Sequence, residues 1–272
     1  MNAGPTGDDL VDAVRSGDYD RFLAIQLAPG GKRAALYAVV AFHIEIASVA
    51  EIVSEPLIGH IRLAWWREAL EEIEAGKPPR SHPVVLALAQ VQREYPRVLA
   101  FLYEMIEARA ADMDASLIAD EAAWQEYCNH TAGALHMALG YVLSEACARQ
   151  NETLIRDQAR GYAMIGLCRA IPFMAAQGWV RFPQGRLEKH QLTSLAPSAA
   201  LNHCVAEIMA DAGQRMTTQW RNPKLLPLSA MVALAMLGKA QLQRVSCDPY
   251  RLRPAKLRAV WQMVRLKYCP FT

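Results

Sequence analysis

The sequence predicts a single all-α domain, and three observations carry that expectation. Apolar residues recur at helical spacing along nearly the whole chain, and no convincing strand pattern interrupts them. Helix-stopping and helix-capping residues fall between the periodic stretches rather than inside them. No Pro/Gly/Ser-rich linker divides the 272 residues, which are enough to bury one large core, so residues 1–272 are read as one domain.

The elements follow in order. Asp18 to Leu27 reads as a first helix, ended by Pro29-Gly30-Gly31. Lys32 to Val53 is long, apolar nearly all round, and stops before Ser54-Glu55-Pro56. Leu57 to Ala75 carries its polar face on Arg67, Glu68, Glu71, Glu72 and Glu74, and Gly76 ends it. Pro83 suits the first turn of a helix running to about Glu94, and Arg97 to Met113 is next. Asp120 can cap a helix through Arg149, and Asn151 another through Gln177. After an irregular stretch around Pro183, helices are expected over Ser198 to Trp220, Leu225 to Val245 and Pro254 to Lys267.

Composition sets limits on function. Apolar residues make up 53% and charged residues 21%, which excludes a disordered chain. Twenty-nine basic against 27 acidic side chains give a net charge of +2, which supplies no general reason to expect a nucleic-acid partner. The mean hydropathy of +0.03 is high for a chain without a membrane span. The longest apolar stretch, Leu225 to Gly238, contains Pro227 and falls short of the roughly 18 to 20 residues that a span needs. The apolar excess is therefore expected inside the fold, or on a face shown to a partner or a lipid surface. The N-terminus carries Asp8, Asp9, Asp12, Asp18 and Asp20, unlike a signal or transit peptide. Cys128, Cys147, Cys168, Cys204, Cys247 and Cys269 are scattered, without metal spacing, and read as reduced thiols of a cytoplasmic protein.

Three segments together resemble the squalene/phytoene synthase family, the head-to-head prenyl transferases. They are Arg33 to Glu51 (RAALYAVVAFHIEIASVAE) with the following SEP and RLAWWREAL, Tyr127 to Gly133 (YCNHTAG) preceded by Asp112, and Gly161 to Pro183 (GYAMIGLCRAIPFMAAQGWVRFP). The resemblance spans about residues 15 to 268. It implies an isoprenoid-synthase bundle around a deep apolar cavity, which accounts for helices that are apolar on most faces.

The family's chemistry needs two aspartate-rich motifs on facing helices. Carboxylates four residues apart share a helix face and can jointly hold Mg²⁺, which stabilises the charge of a departing diphosphate. The resemblance places the first motif at Ala47, Ser48 and Glu51, where only Glu51 keeps a carboxylate, and the second at Ala170 and Met174, where none remains. Glu45 is near, but six residues turn a continuous helix by about 600°, so it shares no face with Glu51. Val40 and Ile44 also depart from the family's Tyr and Arg. Asp112, Arg169, Gly178 and Pro183 match it.

The pattern EIA…E…SEP…IRLAWWRE with CRAIPF resembles a non-catalytic branch of the family that includes a respiratory complex I assembly factor. The expectation is thus a binding or assembly protein without catalytic residues, cofactor or resident metal, with a peripheral contact at the inner membrane face. Two rivals stay open. An active prenyl transferase would use Mg²⁺ with Glu45, Glu51, Asp112 and Arg169 as its surviving groups. A lipid or quinone carrier would hold an apolar or isoprenoid ligand in the old cavity. On the bland reading, Glu51 pairs with an arginine such as Arg169. One of Trp65 and Trp66 is expected in the core and the other near a surface, and His130 and His136 read as ordinary polar positions. The basic tail, Arg244 to Lys267, reads first as a solvated helix face and second as a membrane contact.

Overall fold

Local capping sets the first helices. In a computed structural model, which describes residues 7–113, 118–216, 227–242 and 249–251, α1 (Gly7–Gly17) precedes α2 (Tyr19–Ile25). The Asp18 carboxylate accepts from the Arg21 amide at 3.0 Å and so starts α2. The acidic N-terminal stretch is therefore helical from Gly7, which the sequence pattern did not reveal.

The expected long helix is two helices, α3 (Gly30–Ala47) and α4 (Val49–Ile52). They part at Ser48, whose hydroxyl donates back to the Glu45 carbonyl at 2.9 Å instead of capping α4. Helices α5 (Pro56–Glu74), α6 (Pro83–Glu94) and α7 (Val98–Ala110) fall where expected, the first two opened by proline, and a 3₁₀ turn at Ala111–Met113 extends the last.

The helix expected from Asp120 to Arg149 exists but is broken in register. Asp120 accepts from the Ala123 amide at 2.8 Å and starts α8 (Glu121–Cys128). A π-helical turn at Asn129–Gly133 then leads into α9 (Ala134–Gln150). Further on come α10 (Glu152–Arg169), α11 (Ile171–Gln177), α12 (Gln184–Lys189), α13 (Ala199–Arg215) and α14 (Ser229–Leu242). Asn151 does not cap α10, because its side-chain amide instead donates to the Cys147 carbonyl. Ser198 does cap α13, accepting from Leu201 at 3.1 Å. The helix expected from Pro254 to Lys267 lies outside the described residues. No strand occurs among the described residues, so the all-α expectation holds.

Two hydrophobic cores meet along α10. The larger is built around α3, which packs on α1, α6 and α9 and buries Leu36, Val39, Val40, Phe42 and Ile46. Burial on so many sides is why α3 shows little amphipathic contrast. The smaller gathers Trp124, Met164, Ile165, Cys168, Met174, Phe182 and Ile208. Ile155 of α10 belongs to the first core, while Met164, Ile165 and Cys168 belong to the second. Gly161 sits between and lets α13 approach closely: a Cβ there would lie 3.0 Å from the Ala212 carbonyl oxygen. Cys128, Cys168 and Cys204 are buried free thiols, as expected, and burial raises the pKa of each.

Candidate functional site

The two motif positions meet different fates. Ala47 and Ser48, at the end of α3, are half-buried, whereas Glu45 and Glu51 are exposed. The break at Ser48 puts Glu45 and Glu51 on separate helices. Ala170 ends α10 and keeps accessible surface, but Met174 is only 3% exposed and belongs to the second core. Phe173 instead faces outward, edge-on to Trp179 at 5.8 Å. A pair of Mg²⁺ ions would need hard oxygen donors on both walls. The second wall offers a methyl group and a thioether turned into the core, so the donor set does not fit Mg²⁺. Among the described residues no group of three or more His, Cys, Asp or Glu side chains is placed to hold a metal.

Asp112 is engaged within the protein. Arg109 donates to its Oδ2 and the Tyr127 hydroxyl to its Oδ1, each at 2.9 Å. Arg109 also donates to the Tyr127 oxygen at 2.9 Å. Arg181 lies 3.7 Å from Asp112 Oδ1 and donates to the Asp112 carbonyl. One carboxylate therefore ties the end of α7 to α8 and to the segment after α11. Burial pulls the Arg109 pKa down, but Tyr127, Asp112 and Glu51 outweigh it, so the guanidinium stays charged. Glu51 acts electrostatically on Arg109. Arg169 reaches Asp20 at 3.5 Å.

A second cluster escaped the sequence reading. His136, read there as an ordinary polar position, has no exposed surface, and neither does Gln158. Arg21 of α2, paired with Asp18, sits with Nη2 3.3 Å from His136 Nε2. Arginine has only donors, so His136 Nε2 accepts and the ring proton sits on Nδ1. That proton goes to Gln158 Oε1 at 2.9 Å, which turns the Gln158 amide nitrogen away. The Tyr162 ring packs 5.1 Å from the Arg21 guanidinium carbon and 5.7 Å from the His136 ring, and its hydroxyl donates to Asp20 at 3.1 Å. Burial, reinforced by Arg21, lowers the His136 pKa to about 3. His43 of α3 is likewise held well below the usual histidine range by burial, then by Arg21, Arg109 and His136. Both rings are therefore neutral at pH 7. The available sequence signal was one polar residue inside an apolar helical run, as in ALHMALGYVL around His136.

The tryptophan pair behaves as expected, with Trp66 buried and Trp65 half-buried. Trp65 is covered by Arg80, whose guanidinium carbon lies 5.1 Å from the ring and which Glu68 and Glu72 hold in place. Four exposed apolar side chains, Ile52, Leu57, Ile58 and Ile61, fall on α4 and the first turns of α5. No helix among the described residues is long and apolar enough to cross a membrane. Apart from the turn Pro249–Arg251, the basic segment 244–267 lies outside the described residues.

The helix order, the twin cores and the motif positions define an isoprenoid-synthase bundle. A dehydrosqualene synthase in complex with ligand superposes with a TM-score of 0.79 and 18% identity, covering 95% of each chain. The squalene synthase HpnC of Alicyclobacillus acidocaldarius superposes with a TM-score of 0.72 and 17% identity, covering 90% of this chain and 94% of that one. The squalene/phytoene synthase family model matches residues 14–265, and the chain belongs to that family. Among curated relatives, NADH dehydrogenase (ubiquinone) complex I assembly factor 6 of Bos taurus and of Homo sapiens each share 27% identity over 134 residues. The match covers 48% of this chain and 40% of each relative.

Proposed function

We propose that this chain is a non-catalytic binding or assembly protein of the squalene/phytoene synthase family, acting in respiratory complex I biogenesis at a membrane surface. The observation that carries the reading is the second motif wall, where Ala170 stands beside a Met174 packed into the core. A diphosphate leaving from this bundle would meet no carboxylate-held cation on that side, and its developing charge would stay uncompensated. The likeness to the complex I assembly factors supports the biological setting. The exposed run of Ile52, Leu57, Ile58 and Ile61 supports a docking role, because exposed apolar side chains grouped together mark contact surfaces.

Purified protein given farnesyl diphosphate and Mg²⁺ is expected to release no pyrophosphate above a protein-free blank. Metal-dependent release that Glu51→Ala abolishes would overturn the reading. Loss of the chain from its host is expected to lower the amount of assembled complex I on native gels, and an unchanged amount would remove the assembly role.

A further inference from the structure

Helix α5 lies on the outside of the bundle and buries Leu63, Trp66, Leu70 and Ile73 on its inner side. Its outer side changes character along its length. Leu57, Ile61, Ala64 and Glu68 are exposed and follow one another at three- and four-residue steps, so they share one line. The second half of that side is the charged surface expected of an outer helix, with Glu68, Glu71 and Glu74 exposed. The first half is apolar. Leu57 is 68% and Ile61 60% exposed, Ile58 is open beside them, and α4 packs against α5 and adds Ile52. Large apolar side chains grouped this openly mark a contact surface.

Charge indicates what covers it. Glu55, at the N-cap of α5, and Arg62 are both exposed, and neither side chain has an ion pair among the described residues. They stand seven residues apart, two helical turns, on one edge of the apolar face with Ile58 between them. An edge that is acidic at one end and basic at the other is complementary to itself when reversed. In two copies of α5 packed antiparallel about a twofold axis beside Ile58, Glu55 of each comes level with Arg62 of the other. The same register sets Leu57 of one copy beside Ile61 of the other, and Ile58 against Ile58 on the axis. These matches agree to within one residue, a rise of about 1.5 Å.

Other coverings leave a charge unanswered. An anionic lipid surface laid on this face would attract Arg62 but desolvate Glu55 beside like charge, whereas a second copy pairs both. We propose that the first two turns of α5 form the twofold interface of a homodimer, in which Leu57, Ile58 and Ile61 meet their counterparts and Glu55 pairs with Arg62 of the other copy. The inference holds whether or not the chain turns over a diphosphate, so its test and those of the non-catalytic reading fail separately.

Sedimentation equilibrium of the purified full chain tests it. The wild type is expected to dimerise with a dissociation constant on the order of 10 µM, as fits a contact of small area. Ile61→Asp is expected to stay monomeric at about ten times that concentration. Glu55→Arg and Arg62→Glu each set like charges together at both ends of the contact, and each is expected to weaken the dimer about tenfold. The double variant exchanges the two charges and is expected to recover the wild-type affinity. All three positions are exposed, so the variants keep the fold, which far-ultraviolet circular dichroism checks. A wild type that is monomeric throughout, a dimer that Ile61→Asp leaves intact, or single reversals that the double does not rescue would overturn the inference. So would a monomer that sediments with phosphatidylcholine–cardiolipin vesicles and loses them on Ile61→Asp, which would give this face to lipid.

Discussion

Lowering the pH from 7 to 5 is expected to cost the protein about 2 kcal/mol of folding stability through buried His136, with a further loss in the same direction from His43. An unfolded histidine takes up its proton near 6.5, whereas native His136 does so only near 3 and native His43 also resists protonation. Below 6.5 the unfolded chain therefore binds more protons than the native one, and stability falls with pH by up to about 1.4 kcal/mol per unit for each ring. The loss is complete once pH has dropped through the native values. The window from 7 to 5 is chosen because carboxylates remain ionised through most of it. Urea titrations at the two pH values measure the difference. His136→Asn should flatten the dependence by about one proton, and equal stability of the wild type at both values would remove the assignment of neutral, buried rings.

Asp112→Ala is expected to destabilise the fold by about 3 kcal/mol. The Asp112 side chain is 7% exposed, and its removal takes the carboxylate from Arg109, Arg181 and the Tyr127 hydroxyl. Leaving a buried charge without its partner costs more than the pair itself contributes, so the loss falls on the survivors. Adding Arg109→Met to Asp112→Ala should recover part of the stability, because one stranded cation is then gone. Denaturant midpoints at pH 7 check both variants. A loss below about 1 kcal/mol would mean that solvent reaches the cluster freely.

How much of this was legible in the sequence depends on whether the cause was local. Pro83 opening α6, Asp120 capping α8 and Ser198 capping α13 act within a few residues, and the chain shows them directly. The breaks at Ser48 and at Asn129–Gly133 carry no proline, so helical periodicity runs through both without a mark. The carboxylates missing from Ala47, Ser48, Ala170 and Met174 were readable by resemblance. That Met174 turns inward was not, because it depends on how α11 meets the second core. Asp112 was singled out as a possible ligand-binding position, but its internal partner Arg181 lies 69 residues away and only packing joins them. Arg21, His136 and Gln158 come from three helices, and no spacing along the chain announces that they meet.

The sharing of α10 between two cores separates what this fold can change from what it must keep. Its interior answers to two sets of neighbours at once, with Ile155 serving one side, Cys168 the other and Gly161 the crossing with α13. The residue that caps it, Ala170, is only partly buried and packs at the margin of the second core. A lineage can therefore erase the chemistry at the tip of this helix by single substitutions while the architecture stays untouched. Inheritance of shape is thereby decoupled from inheritance of the side chains at this tip.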